Sequence, residues 1–145
     1  MAFSDHYRVG AHAVIINSDE KVLLLKATYA NFSWGLPGGG IDPEETILQG
    51  LQRECEEELG VMVQVEYLSG IYLHTDINAH VSIFRCQLPD HTEIQLSHEH
   101  SEYTFFALDE LSPIQRVRVQ DCLNFTGEVI SVSYTHLTLP TKRIV

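Results

Sequence analysis

The chain has 145 residues, 44% of them hydrophobic, and nine Lys and Arg against 20 Asp and Glu give a formal net charge of −11. That length can bury one substantial core, and the acidic balance argues against binding a nucleic-acid polymer through a basic surface, though not against a nucleotide that brings its own metal. Cys55, Cys86 and Cys122 are widely spaced, odd in number and without a CxxC or zinc pattern, so reduced thiols in a cytoplasmic protein are expected. The N-terminal MAFSDHYRVG has no apolar h-region and no stretch is long enough to span a membrane.

Residues 8–16 and 22–26 read as strands joined by the polar turn Asn17-Ser18-Asp19-Glu20. A loop holding Tyr29, Asn31 and Phe32 follows, then a short segment at 34–36. The next stretch, 39–61, reads GGIDPEETILQGLQRECEEELGV and carries the strongest signals. Asp42 is the expected N-cap of a helix, Pro43 suits its first position, and Glu45 completes a capping box. Gly60 is the expected stop. Leu48, Leu51, Cys55 and Leu59 recur at helical spacing and should face a core.

Residues 61–73 and 80–88 read as two strands separated by Thr75-Asp76-Ile77-Asn78. The polar run 89–100 reads as loop, 102–108 as a strand, and 113–125 as a second helix with Ile114, Val117, Cys122 and Phe125 inward. Two helices with a mixed sheet between them fit an α/β/α sandwich in the α/β class. The domain is expected to span 1–130. From Ser131 the composition shifts to Thr, Leu and terminal basic residues. The run from Val132 resembles translated adapter sequence found in environmental assemblies, so 131–145 is expected to be non-native and poorly packed.

The helix expected between Asp42 and Gly60 gathers Glu54, Glu56, Glu57 and Glu58 beside Arg53. At i, i+3 and i+4, Glu54, Glu57 and Glu58 share an arc of roughly 100° beside the apolar stripe. Gly50 lies one turn earlier on that side, and Glu56 points elsewhere. Like charges at these spacings repel, more so if the face lines a pocket. A hard divalent cation reverses the sign, and carboxylate oxygens suit Mg²⁺ or Mn²⁺ far better than a soft metal. A solvated acidic face is the plain alternative. It leaves the glycine-rich approach, the cap and Arg53 unexplained.

The segment resembles the signature of the Nudix (MutT-like) hydrolases through Gly39, Glu45, Arg53, Glu54, Glu57, Glu58, Gly60 and Val61. Cys55 stands where the family usually has Ile, Leu or Val, and it packs as a small hydrophobe. Trp34-Gly35-Leu36-Pro37-Gly38 is similar to the family's usual lead-in, and the flanking pattern extends the likeness to roughly residues 3–127. The resemblance implies the Nudix fold, with the box as loop and helix. It implies that Glu54, Glu57, Glu58 and the Gly38 carbonyl ligate Mg²⁺ or Mn²⁺. It implies that Glu54 or a neighbouring carboxylate deprotonates or orients the attacking water. It further implies that Arg53 ties the helix to its loop through Glu45, with Gly39, Glu45 and Gly60 structural. The reaction would be attack of water on phosphorus in a nucleoside diphosphate linked to another group X.

In many Nudix enzymes a Glu outside the box serves as distal ligand or base, and Glu99 and Glu102 are the candidates here. His-x-His at 98–100 is too little for zinc. His12, His74 and His80 read as packing residues. Arg8, Phe32 and Trp34 are candidates for substrate contact, and Tyr29, Tyr72 and Phe84 could also stack a base. Three functions follow. The first is pyrophosphohydrolysis of a nucleotide, foremost a nucleoside triphosphate. The second is hydrolysis of ADP-ribose or a nucleotide sugar, and the third is non-catalytic nucleotide binding. The intact box weighs against the third. Isomerase activity, which some relatives have, is a fourth reading, and fold alone cannot choose.

Overall fold

The computed structural model describes residues 2–134 and 142–144. The β-prone runs expected there make β1 (Arg8–Val14) and β2 (Val22–Ala27), and the expected turn between them closes with Asn17 N donating to Lys21 O at 2.9 Å. Then come β3 (Trp34–Gly35), β4 (Gly38–Gly40), α1 (Ile47–Leu59), β5 (Gln64–His74), β6 (Ala79–Gln87), β7 (His100–Phe106), α2 (Pro113–Leu123), β8 (Ile130–Tyr134) and β9 (Lys142–Ile144). One mixed sheet runs β4-β1-β6-β5-β8-β9, and a smaller antiparallel sheet runs β3-β2-β7.

The period of two decides the layers. Ala11, Ala13, Ile15, Leu23, Leu25, Phe84 and Cys86 face α1 through its Leu51, Cys55 and Leu59. Val14, Val22, Leu24, Val81 and Ile83 face the other way, toward Val119 and Cys122 of α2. The α/β/α sandwich is therefore present. Two inward assignments need correction. Leu48 is 47% exposed, because the buried face of α1 turns through Gly50, Leu51, Cys55, Glu58 and Leu59. On α2 the fully buried residues are Val119 and Cys122, whereas Val117 is half-buried.

Poor packing from Ser131 onward does not hold for the start of that segment. Val132 is 3% exposed within the core, and Ser131, Val132 and Ser133 pair in parallel with Ile71, Tyr72 and Leu73. Residues 135–141 and 145 lie outside the described residues. Among the described residues, no helix is long and apolar enough to cross a membrane.

His74, at the end of β5, is buried and hydrogen-bonded to Arg118 of α2. Burial, then the Arg118 charge, lowers its pKa from 6.5 to about 4. The unfolded chain therefore takes up this proton first as pH falls. The His74 contribution is intact above about pH 6.5 and declines toward about pH 4, costing about 2 kcal/mol between pH ~7 and ~5. Urea unfolding at the two pH values should show that loss, and His74→Gln should remove it. An equal loss in the variant would place the effect elsewhere.

Candidate active site at the acidic helix

The approach to α1 is built from backbone that only certain residues allow. Gly38 has φ of +133°, and a Cβ there would lie 2.1 Å from Ala11 O. Pro43 and Glu44 form the corner of a turn closed by Glu45 N donating to Asp42 O at 3.3 Å. Glu44 has φ of +71°, so the turn is of type II. The helix consequently starts later than Asp42. Thr46 is the N-cap, its side chain accepts from Gln49 N, and the Gln49 side chain completes the box. Glu45 is not the capping-box residue. Gly60 does end the helix, in the left-handed conformation.

Glu45 is held by Arg53 instead. Arg53 Nε donates to Glu45 Oε2 at 3.0 Å and Nη2 to Oε1 at 2.6 Å. Glu45 Oε1 also accepts from Asp42 N at 2.7 Å. These bonds, the Arg53 contact foremost, lower the Glu45 pKa to about 2. The same guanidinium reaches Gly40 O at 3.1 Å, Glu54 Oε1 at 3.0 Å and Glu57 Oε2 at 3.4 Å. The loop-to-helix tie expected of Arg53 is thus in place. Gly50 serves this tie, because a Cβ there would lie 2.5 Å from Ile41 Cδ1 and 2.9 Å from Glu45 Oε1. Arg53→Lys, which cannot span these partners, should lower kcat by roughly tenfold or more. Steady-state rates at saturating metal check this, and wild-type kcat would show that the tie is dispensable.

The three carboxylates of the arc differ in environment. Glu57 is the most open, with its side chain 59% exposed. Glu54 is partly covered, and burial raises its pKa against the pull of Arg53. Glu58 is buried, and its Oε1 accepts from Gly38 N at 2.7 Å. Burial pushes its pKa up to about 8 despite that bond. Glu56 is exposed, as expected. Among the described residues no three His, Cys, Asp or Glu side chains are already drawn together as a metal cluster. A buried carboxylate, two more beside it and only oxygen donors nevertheless fit a hard divalent cation. Close approach of β4 supports the fit, since a Cβ on Gly39 would lie 2.7 Å from the Glu54 carboxyl carbon.

Outside the box the candidates separate. The charge of Glu99 reaches Glu54 and Glu58, raising both. Glu102 is drawn off by Lys26, with Nζ 3.4 Å from Oε2. Trp34 packs edge-on against Phe106, with ring centroids 5.1 Å apart, and joins the α2-side core. Phe32 is 63% exposed. Arg8 lies with Gly40, Asp42 and Glu45 along a shallow groove at the β4 edge. Two residues weighed above for other roles, one in the His-x-His run and one among the stacking aromatics, are also neighbours of Glu58. His100 and Tyr29 line a small cavity of about 130 Å³ together with His12, Gly38 and Glu58. His12 Nδ1–H donates to Leu36 O at 3.1 Å, and burial lowers its pKa to about 4.

Comparison with known proteins agrees with this geometry. The family model of the NUDIX domain matches residues 6–122. A MutT-like protein of Streptomyces ambofaciens is 30% identical over 125 residues, covering 83% of this chain and 80% of that protein. An ADP-ribose pyrophosphatase of Methanocaldococcus jannaschii is 38% identical over 64 residues, 43% of this chain and 38% of that protein. Among solved structures, an ADP-ribose pyrophosphatase from Streptococcus suis 89-1591 superposes with a TM-score of 0.72 at 22% identity, covering 89% of this chain and all of that one. At that identity the likeness concerns the fold. The acidic helix, its Arg53 tie and a family match running through both helices lead to one conclusion: the chain belongs to the Nudix family of hydrolases, which act on pyrophosphate bonds.

Proposed function

We propose that the protein is a divalent-metal-dependent pyrophosphohydrolase of a nucleoside diphosphate linked to X, foremost a nucleoside triphosphate. The observation that carries this reading is the placement of Glu54, Glu57 and Glu58 along one helix face, with Arg53 bonded to two of them and to Glu45. Glu54, Glu57, Glu58 and the Gly38 carbonyl would hold Mg²⁺ or Mn²⁺. When bound, the metal would polarise a phosphoryl oxygen and lower the pKa of water. Glu54 or a neighbouring carboxylate accepts the proton of the attacking water, with Glu99 the candidate from outside the box. Arg53 acts indirectly, by holding Glu54 and Glu57 in register. Phe32 and Tyr29, both exposed, are the candidates to stack the base, and Arg8 is the candidate for a phosphate. The three buried free cysteines are in keeping with a reducing, cytoplasmic setting.

A second reading takes ADP-ribose or a nucleotide sugar, and it draws support from the relatives named as ADP-ribose pyrophosphatases. A panel of nucleoside triphosphates, ADP-ribose and nucleotide sugars with Mg²⁺ or Mn²⁺ separates the two, reading pyrophosphate, phosphate and monophosphate. Activity should vanish with EDTA, and ¹⁸O-labelled water identifies the phosphorus attacked. Metal binding without hydrolysis of any member would favour a binding domain instead.

A further inference from the structure

His100 opens β7 and lies against the buried carboxylate of α1. Its Nε2 is 3.6 Å from Glu58 Oε2, and the two side chains are 8% and 5% exposed. The other Glu58 oxygen is already bonded to Gly38 N. The pairing of β7 with β2 explains how the ring comes to be there. Lys26 stands opposite Glu102 and Ala27 opposite His100, with the register shifting between Lys26 and Ala27. In an unbroken ladder Ser101 would stand opposite Ala27. The irregularity turns His100 to the buried face in its place, as bulges do beside functional sites. Backbone bonds lock the approach: Thr28 N donates to Glu99 O at 2.9 Å and Thr28 Oγ1 to His98 O at 3.0 Å.

Packing alone does not account for a histidine here. Nδ1 is buried without a hydrogen-bond partner among the described residues, a cost that an aliphatic side chain of similar size would avoid. The ring of Tyr29 is tilted beside it, at a centroid distance of 6.5 Å. The Nε2 tautomer of the His100 ring presents an N–H toward Glu58 Oε2.

We propose that His100 is a positioning residue whose Nε2–H orients Glu58 Oε2, so that Gly38 N and His100 hold the two oxygens of Glu58 from opposite partners. The 3.6 Å separation is longer than a hydrogen bond, and the proposed role requires it to shorten when the site is loaded. Such outer partners fix the orientation of a ligating carboxylate, and their loss weakens metal binding. The inference rests on the metal site proposed above.

The test is Mn²⁺ binding to the purified protein, followed by electron paramagnetic resonance, with urea unfolding measured alongside. His100→Leu should weaken Mn²⁺ binding about 10–100-fold while keeping the unfolding midpoint at or above the wild-type value. His100→Gln places an amide N–H at the reach of Nε2 and should recover most of the affinity. His100→Asn withdraws that donor and should bind as weakly as His100→Leu, so it carries the test if the leucine variant does not fold. Wild-type affinity in His100→Leu or His100→Asn, or no recovery in a folded His100→Gln, overturns the role of His100. Absence of Mn²⁺ binding to the wild type, or unchanged binding by Glu58→Gln, overturns the metal site and the His100 inference with it.

Discussion

Glu54→Gln is expected to lower kcat at least ~10²-fold with little change in folding. The side chain is only partly exposed, its Oε1 accepts from Arg53 Nη1 at 3.0 Å, and the β4 backbone lies close against it. Glutamine has the same shape and retains an oxygen for that bond. The negative charge and the basicity are removed. Burial already disfavours the charged form of Glu54, so neutralising it relieves part of the cost of its position and the fold should persist. Glu57→Gln should cause a loss of similar size. Glu56→Gln, on the exposed side of the same helix, should leave kcat unchanged and serves as the control for helix charge. Near-wild-type turnover in both Glu54→Gln and Glu57→Gln, measured with saturating metal on the best panel substrate, would remove the mechanism.

Gly38→Ala and Gly39→Ala should fail in different ways. At Gly38 the added Cβ would meet Ala11 O at 2.1 Å and His12 Cα at 2.7 Å, in a backbone held at φ of +133°. Those neighbours are the main chain of β1, which is paired on both edges and cannot yield. A loss of roughly 3 kcal/mol or more is expected from strain and overpacking, visible as a lowered urea midpoint. At Gly39 the Cβ would meet the Glu54 carboxyl group at 2.7 Å. That group is the end of a flexible side chain and can swing aside. The fold should survive while kcat falls and Mn²⁺ binding weakens, because the carboxylate has left its place. Equal stability losses in the two variants, with activity of folded Gly39→Ala intact, would contradict this division.

Much of the site was legible because its signals are local. Glu54, Glu57 and Glu58 share a face through helical spacing alone, and Gly60 stops the helix through its own conformational freedom. The β-prone runs at 8–16 and 22–26 likewise locate β1 and β2. The helix start was misread because Asp42, Pro43 and Glu45 satisfy a local rule. A partner eight residues away decides otherwise, for the Glu45 carboxylate is engaged by Arg53 and leaves the capping to Thr46 and Gln49. Trp34 illustrates the same limit. An aromatic ring suits stacking and packing alike, and only the tertiary structure brings it against Phe106.

The sequence by itself determined the family, the carboxylate arc and the class of chemistry, since each depends on spacing within one short segment. Tertiary structure decided which residues meet that segment from afar. It put Glu99 within electrostatic reach of Glu54 and Glu58, paired Glu102 with Lys26, and turned His100 inward through a register shift. Side chains alternate between the faces of a strand, so one extra residue exchanges the buried set for the exposed one. That exchange depends on how two distant strands pair, and no spacing within either strand records it.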